Sequence, residues 1–497
     1  MGTLHGYKID KNGWKYISIH GHPYERGYTH GYLLAAELRD VIRMLNFNMY
    51  ENYGRHWSFF VDKITTLVKP HIASHFPELL KEMEGVAHGA IAGGTDTTVD
   101  EIVAWNCYWT AIYMYPTLKE GKSRHHETGK TQLEGGGTEG EGTEGTEGEG
   151  TEGTNNEGSS DSCSAFMAVG NYTKDGAIVC AHNTFENFID GQYCNVILDL
   201  KPHKGYRMLF QTFPGWVSSG TDFFVTERGI IGTETTIGGF MMYANKDPIC
   251  CRIRNCMQYG TSLDDYVKKL TTRNSGDYAN SWLFGDTNTN EIMLLELGLN
   301  FHKVERKRDG YFIGFNAPSD PRIRNIECKN TGYFDIRRHQ GARRVRLTQL
   351  MDKHKGKINL EVAKAIISDH HDVYLNKINP CSRTCCSHYD QDNRAFMSQA
   401  DRPKPFQPRG AMDGKVVDST LAKKMTLIAR WGRSCGMPFK TAPFYAKHQQ
   451  WAYLKTYLHE RPTQPWTVFK TNEPRPSQKK TVKRSRPRKN KGTKKRQ

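Results

Sequence analysis

The sequence lacks any apolar stretch of the roughly 20 residues that a membrane-spanning helix needs. Residues 1–14 also lack the apolar run of a secretory signal. We therefore expect no transmembrane segment and no export, with a cytoplasmic location by default. The chain has no glycine-rich phosphate loop after a strand. We do not expect a serine-based esterase mechanism.

Cysteine is too sparse for a disulfide scaffold. Twelve cysteines are scattered over 497 residues without the spacing of a disulfide framework. One cluster superficially resembles a set of zinc ligands: His370, His371, Cys381, Cys385, Cys386 and His388. Its spacing matches no standard pattern of paired zinc ligands. Packed thiols are therefore the favoured interpretation, and we predict no metal and no cofactor.

Charge is unevenly placed. The formal net charge is +16, and much of the excess lies in residues 471–497, which are rich in Lys, Arg and Pro. We predict a disordered basic tail that would attract nucleic acid or another anionic surface without reading sequence. A nuclear address and a merely solvated tail are the alternatives.

The amino-terminal part of the chain has helical periodicity. In residues 1–122, apolar residues recur at three- and four-residue steps, as in Leu34, Leu38 and Val41. We predict a helical segment here. Residues 123–162 contain a Gly/Thr/Glu repeat with no apolar residue to offset the entropy of ordering, which predicts a disordered acidic linker.

The character of the chain changes at Cys163, where short apolar runs begin to alternate with turn signals. These runs predict four antiparallel hairpins, which pair 165–169 with 177–181, 196–200 with 206–210, 222–226 with 230–235, and 281–284 with 292–297. Helical patterns interrupt them at 263–270, 342–350 and 360–367. Residues 163–470 are therefore expected to form an α+β core with helices on the faces of antiparallel sheets.

The first hairpin brings a candidate nucleophile next to polar residues. A turn near Lys174 would set the segment from His182 to Phe185 across from Cys163. A thiol beside a base and hydrogen-bond donors suits acyl chemistry, because the thiolate attacks and the oxyanion needs donors. A buried strand cysteine without chemistry is the alternative at this position.

Cys163 also follows the linker directly. Cleavage between Ser162 and Cys163 would leave a free α-amine on the nucleophile's own residue. Such an amine has an unperturbed pKa near 8 and can serve as the base without a separate histidine. The position therefore favours a self-processing enzyme.

Several motifs carry a resemblance to a known family. They include Cys163-Ser164-Ala165, Ala181-His182-Asn183-Thr184-Phe185, Gly232-Thr233-Glu234-Thr235-Thr236, Asn280-Ser281-Trp282, Phe315-Asn316-Ala317-Pro318 and Arg409-Gly410-Ala411-Met412-Asp413. In this order they resemble the phospholipase B-like family, which is related to the penicillin acyltransferase group of self-cleaving cysteine hydrolases.

The resemblance implies a four-layer αββα sandwich of the N-terminal-nucleophile hydrolase type, with residues 1–122 retained as a bound propeptide chain. It also implies an acyl-bearing small molecule or lipid as substrate. Cys163 would be the nucleophile, with His182 and Asn183 beside it. Thr235 would orient the α-amine, and Asn280 or Asn316 would donate to the oxyanion.

Two alternatives stay open. An acyltransferase would use the same Cys163 thioester but pass the acyl group to an amine instead of water. A non-catalytic protein could keep this fold and hold an anionic partner through the basic tail. Members of the phospholipase B-like family generally reach lysosomes, but the sequence shows no signal for that route, so a lysosomal or secreted location depends on the family habit alone.

Overall fold

The computed structural model describes residues 3–123, 163–395 and 404–474 of the protein. The strands are β1 (Gly6–Lys11), β2 (Trp14–Gly21), β3 (Cys163–Gly170), β4 (Gly176–Asn187), β5 (Val196–Pro202), β6 (Met208–Thr212), β7 (Phe223–Thr226), β8 (Ile230–Thr236), β9 (Asn280–Asp286), β10 (Glu291–Leu297), β11 (His302–Lys307), β12 (Gly310–Gly314), β13 (His371–Asp372), β14 (Lys377–Ile378), β15 (Arg409–Ala411), β16 (Asp413–Asp418), β17 (Thr426–Trp431) and β18 (Thr467–Lys470).

The helices are α1 (Pro23–Leu33), α2 (Ala35–Tyr53), α3 (Trp57–Lys63), α4 (Lys69–His75), α5 (Pro77–Ala92), α6 (Val99–Asn106), α7 (Tyr108–Ser123), α8 (Phe188–Gly191), α9 (Ile249–Tyr259), α10 (Leu263–Thr271), α11 (His339–Lys353), α12 (Leu360–Ile367), α13 (Ser419–Lys423) and α14 (Thr441–Lys447). Short π or 3₁₀ turns lie at Ile64–Val68, Ile323–Glu327, Tyr389–Gln391 and Gln449–Leu454. In the described parts of the chain, no helix is long and apolar enough to cross a membrane.

Two large sheets dominate the fold. The first has nine strands in the order β1-β2-β5-β6-β7-β8-β9-β10-β11. The second has the order β12-β3-β4-β16-β17-β18, with β15 paired to the far end of β4. Neighbouring strands are antiparallel except β2 and β5, which run parallel. The amino-terminal segment thus contributes two strands to the first sheet.

The apolar core shows how the layers stack. Ile197 and Phe223 of the first sheet share one cluster with Met167 of the second, so the two sheets face each other. Alternate residues point to the outer faces, because successive side chains of a strand lie on opposite sides. Leu198 packs with α9 and α10 in a second cluster, and Phe166 packs with α11 and α12 in a third. These layers confirm the predicted αββα sandwich.

All four predicted hairpins form. β3 pairs with β4, β5 with β6, β7 with β8, and β9 with β10. The three helices predicted in the core correspond to α10, α11 and α12. The linker, Ser162 and residues 475–497 of the basic tail lie outside the described residues, so the interpretations that concern them stay predictions.

The start of the chain differs from the helical interpretation. β1 and β2 form a hairpin in which Lys11 pairs with Trp14 across Asn12 and Gly13. Both turn residues have positive φ, of 51° and 80°. An Asn-Gly pair is the strongest short-range signal for such a two-residue turn, so this hairpin was predictable from the sequence. Helices α1 to α7 account for most of the remainder of this segment.

Helices α1 and α5 meet backbone to backbone. Four glycines line their contact, Gly27 and Gly31 on α1 and Gly85 and Gly89 on α5. A Cβ atom on Gly31 would lie 1.9 Å from the carbonyl oxygen of Val86, and one on Gly89 would lie 2.0 Å from that of Tyr28. Only glycine permits this approach, because real Cβ atoms do not come so near a backbone oxygen.

We expect Gly89→Ala to lower the free energy of unfolding by about 1–3 kcal/mol, since the added methyl forces the helices apart. Urea unfolding followed by circular dichroism measures the change. Ile91→Ala on the same helix is the control, because Ile91 is 49% exposed and its loss should cost less than about 0.5 kcal/mol. A Gly89→Ala variant as stable as the wild type would contradict the close packing.

Candidate active site

Cys163 is the first residue of β3 and lies directly across from Thr184 of β4. This register confirms that the segment from His182 to Phe185 faces the head of β3. Alternation along the strands places Cys163, His182 and Thr184 on the face that looks toward the first sheet. The His182 ring lies 6.3 Å from that of Phe223, which belongs to the first sheet. The candidate site is therefore between the two sheets.

Two side chains hold the backbone of Cys163. The Cys163 N–H donates to Asn316 Oδ1 at 3.2 Å, and the Arg343 guanidinium donates to the Cys163 carbonyl oxygen. Arg343 Nη2 also donates to Asn316 Oδ1 at 2.7 Å. All three residues are buried. The backbone atoms of the candidate nucleophile are thus fixed from both sides.

Asn316 follows β12 and has a φ of 67°. Its Nδ2 donates to the carbonyl oxygen of Thr236 at 2.8 Å, while its Oδ1 accepts from Cys163 and Arg343. The predicted residue therefore lies at the site. Because its Oδ1 accepts from the Cys163 nitrogen and its Nδ2 donates to Thr236, the arrangement fits a role in holding the Cys163 nitrogen better than a role as oxyanion donor.

Thr235 and Asn280 lie on neighbouring strands of the first sheet. Thr235 packs against Gly314 at the end of β12, where an added Cβ would lie 2.4 Å from its methyl group. Asn280 begins β9 and pairs with Thr236. Within the described residues, Thr235 Oγ1 and both amide atoms of Asn280 are buried without a hydrogen-bond partner. Buried polar atoms are rarely left unpaired, so Asn280 is a candidate for contact with a bound group.

An acidic cluster that the motifs did not single out lies beside the thiol. Cys163 Sγ is 3.9 Å from Glu234 Oε1, which also accepts from the Tyr278 hydroxyl at 3.1 Å. Asp222 hydrogen-bonds the Glu234 carboxyl. Burial, helped by the neighbouring carboxyl, raises the pKa of Glu234 well above its usual value, and burial raises the pKa of Asp222 to about 8.

The same surroundings keep the thiol protonated. Burial, and then the charge of Glu234, raise the pKa of Cys163 well above its usual value. Burial, and then the charge of Lys415, lower the pKa of His182 well below its usual value. The backbone of Glu234 beside the His182 ring only partly offsets these two effects on the pKa. A neutral thiol and a neutral imidazole therefore face each other at neutral pH.

Lys415 of β16 supplies the positive charge on the β4 side of the site. Its Nζ donates to Thr184 Oγ1 at 2.7 Å, to Gln211 Oε1 at 2.5 Å and to Asp413, and it is fully buried. Thr184 lies across from Cys163. The ammonium is thus hydrogen-bonded directly to the residue that opposes the candidate nucleophile.

Asn183 does not reach this site. It lies on the opposite face of β4, where its Nδ2 donates to the carbonyl oxygens of Ile367 and Cys385 and to Ser434 Oγ, at 2.8 to 3.2 Å. Strand alternation is the reason, because Asn183 pairs with Ser164 and both side chains turn away from the first sheet. Of the two adjacent residues in the motif, His182 therefore faces Cys163, whereas Asn183 faces the helical layer.

Arg343 and Glu234 were missed because neither belongs to a recognisable spacing with Cys163. Arg343 falls on the buried stripe of α11 with Leu347 and Leu350. A charge on an apolar stripe is a signal that sequence analysis can use. Glu234 gives a similar signal, since it is buried in the strand that begins with Ile230 and Ile231. A buried charge needs a partner, so a charged residue within an apolar pattern indicates a candidate site.

Among the residues that the structure describes, three groups of side chains have donor atoms close enough to bind a metal. They are Cys163 with His182 and Glu234, His71 with His75 and Asp247, and His370 with Cys386, His388 and Cys435. Within each group the donor atoms all lie within 4.8 Å of one another. The first group is the candidate nucleophile site itself.

A four-layer αββα sandwich with a cysteine at the start of an inner strand is the arrangement of the N-terminal-nucleophile hydrolase class. No family model matches the chain. A phospholipase B of Crotalus adamanteus is 26% identical over 252 residues, which cover 45% of this chain and 42% of that protein. A phospholipase B-like 2 of Mus musculus is 23% identical over 349 residues, which cover 58% of this chain and 55% of that protein.

The match to a phospholipase B-like 2 of Bos taurus is longer, with 22% identity over 494 residues that cover 88% of this chain and 81% of that protein. The chain spans about half the length of the first two relatives that it matches. These similarities confirm the resemblance to the phospholipase B-like family that the motifs indicated. Each relative is a protein to which this chain is similar at low identity.

Among solved structures, two variants of a conjugated bile acid hydrolase from Clostridium perfringens are similar, at 12% and 10% sequence identity. Each match covers 54% of this chain and 89% of that chain, with a TM-score of 0.30. At that score the likeness carries no weight for the fold, which rests on the layers described above.

Proposed function

We propose that the protein is a cysteine hydrolase of the N-terminal-nucleophile type, which cleaves itself between Ser162 and Cys163 and then hydrolyses acyl amide or ester bonds. The supporting observation is the environment of Cys163. Its nitrogen is bound to Asn316, its carbonyl oxygen to Arg343, and its thiol lies beside Glu234. Side chains of Asn316 and Arg343 thus hold the two backbone groups that flank the nucleophile, and a buried carboxyl lies against its thiol.

Self-cleavage would begin with attack of Cys163 Sγ on the carbonyl carbon of Ser162. The thiol proton passes to the departing Cys163 nitrogen, so a thioester forms as the peptide bond breaks. Water then attacks the thioester, leaving a carboxylate on Ser162 and the restored thiol of Cys163. The hydrogen bond from the Cys163 nitrogen to Asn316 would hold the new α-amine next to the thiol.

In the mature enzyme the α-amine would take the thiol proton, and the thiolate would attack the acyl carbon of the substrate. The unpartnered amide of Asn280 is the candidate donor to the oxyanion. The leaving amine or alcohol takes the proton from the α-ammonium, and water hydrolyses the Cys163 thioester. Burial, and then the charge of Lys415, lower the pKa of His182 and make it a weak base, so the α-amine would serve as the base.

The amino-terminal chain would stay bound after cleavage. Its strand β2 pairs along seven residues with β5, from Lys15 with Val196 to Gly21 with Pro202. Buried ion pairs from Glu82 to Arg254 also join the two parts. These contacts support a two-chain enzyme whose first sheet contains strands of both products. The names of the relatives favour a phospholipid or another acyl lipid as the substrate.

Removal of the thiol tests the proposal. We expect Cys163→Ala to lose acyl hydrolysis by about 10⁴-fold or more, because no covalent intermediate can form. Fatty acid release from phosphatidylcholine vesicles and from N-acyl amides measures the activity. Cys180→Ala is the control, because Cys180 is also buried on β4 but has no place in the mechanism. Equal activity of Cys163→Ala and wild type would refute the proposal.

A further inference from the structure

Four side chains from distant parts of the chain meet in the layer behind β4. His370 precedes β13, Cys386 and His388 lie in the loop before the turn Tyr389–Gln391, and Cys435 follows β17. Two cysteines and two histidines thus converge, although Cys435 lies far from the others in sequence. Their donor atoms all lie within 4.8 Å of one another.

The distances approach those of a tetrahedral metal site. Zn–S bonds of about 2.3 Å and Zn–N bonds of about 2.0–2.1 Å set sulfur and nitrogen about 3.5 Å apart and two nitrogens about 3.3 Å apart. His388 Nε2 is 3.5 Å from Cys386 Sγ and 3.7 Å from Cys435 Sγ. His370 Nε2 and His388 Nε2 are 2.9 Å apart. Each pair lies within about half an ångström of the tetrahedral value.

The donor set selects the ion. Two thiolates with two imidazoles are typical of zinc, whereas calcium and magnesium take oxygen ligands. Cys386 and His388 are fully buried. The backbone N–H of Met437 donates to Cys435 Sγ at 3.4 Å, which is a contact that a thiolate accepts well. Four protein ligands would leave no open position, so a metal here would be structural.

Asn183 ties both cysteine loops to the active-site strand. Its Nδ2 donates to the carbonyl oxygen of Cys385, next to Cys386, and to Ser434 Oγ, next to Cys435. Phe185 on the same strand packs with Cys386 in one apolar cluster. The Arg343 guanidinium lies 5.2 Å from the centre of the Phe185 ring. The four side chains therefore lie behind β4, the strand that pairs with β3 at Cys163.

We propose that His370, Cys386, His388 and Cys435 bind one zinc ion, which fixes the loops behind β4. The sequence cluster around Cys381 contained three of these residues. It did not match a zinc pattern because the fourth ligand comes from another loop. The inference is independent of the proposed hydrolase activity, since it rests on this cluster alone.

Metal content tests the proposal on the full chain, purified in reducing buffer without chelator. We expect inductively coupled plasma mass spectrometry to find about one zinc ion per chain. Cys386→Ala and Cys435→Ala should each lower the affinity for added zinc by more than about 100-fold, because each removes a direct ligand. Cys385→Ala is the matched control, since Cys385 is a buried neighbour outside the donor set, and it should keep the metal.

Cobalt gives a readout that needs no variant. Cobalt(II) added to the metal-stripped wild type should produce the thiolate charge-transfer and intense visible bands of a tetrahedral site, and zinc should abolish them. Zinc should also protect Cys386 and Cys435 from alkylation. A reduced wild-type protein that binds no zinc and shows no cobalt bands would overturn the proposal. A Cys386–Cys435 disulfide that persists in the purified protein and excludes metal would overturn it too.

Discussion

Replacement of Arg343 by Met is expected to lower kcat/KM for acyl hydrolysis by about 10²–10³-fold, the loss seen when a charged or hydrogen-bonded group at a reacting centre is removed. Arg343 donates to the carbonyl oxygen of Cys163 and to Asn316 Oδ1. Without it, the Cys163 carbonyl oxygen loses its side-chain donor, and Asn316 loses the guanidinium that holds it. Initial rates with an N-acyl amide, normalised to the cleaved fraction of each preparation, measure the effect.

Arg344→Met is the matched control for this prediction. Arg344 is the next residue on α11, but it donates to the Tyr333 carbonyl oxygen and stacks on the Tyr333 ring. It should retain nearly full activity. Arg343→Lys should fall between wild type and Arg343→Met, because it keeps the charge but not the paired donors. If both Met variants lose activity equally, Arg343 has no special part in the site.

Glu82→Gln is expected to lower the free energy of unfolding by about 3–5 kcal/mol, because it leaves the buried guanidinium of Arg254 without its counter-charge and leaves Arg26 with only the partly exposed Glu78. Arg26 Nε donates to Glu82 Oε2 at 2.8 Å and Arg254 Nη2 to the same oxygen at 3.0 Å. All three side chains are buried. Burial alone would raise the pKa of Glu82, but the charges of Arg254 and Arg26 outweigh it and lower that pKa.

This ion pair joins the amino-terminal segment to α9, so the Gln variant should also weaken the association of the two cleaved chains. Urea unfolding measures the stability, and size-exclusion chromatography of cleaved protein measures the association. Glu84→Gln removes a neighbouring exposed pair with Lys81 and should cost much less stability than Glu82→Gln. Equal stability of the two variants would contradict the role assigned to the buried network.

Local patterns were enough to predict much of the fold. The core hairpins follow from apolar runs separated by turn residues, as in the pairing of Phe166 with Ala181. The β1–β2 hairpin was missed because helical periodicity further along the segment outweighed the Asn12-Gly13 signal. The parallel pairing of β2 with β5 has no local signal, since it joins residues about 180 positions apart.

The site was predictable only where a hairpin creates it. The turn after β3 brings His182 back to Cys163, and the register follows from the strand lengths. Arg343 and Glu234 come to Cys163 from α11 and β8 through the packing of whole layers, which no spacing records. The sequence placed the segment from His182 to Phe185 opposite Cys163 without fixing which of its residues pairs with Cys163. A shift of one residue decides whether the Asn183 side chain faces the first sheet or the helical layer.

The intact masses and the new amino terminus of purified wild type and Cys163→Ala test the central claim most directly. The account predicts two wild-type chains, the second of which begins at Cys163, and a Cys163→Ala chain that stays whole. Cys180→Ala should cleave like the wild type. Wild type that stays whole under conditions that favour cleavage, or cleavage of wild type and Cys163→Ala to the same extent, would contradict the account.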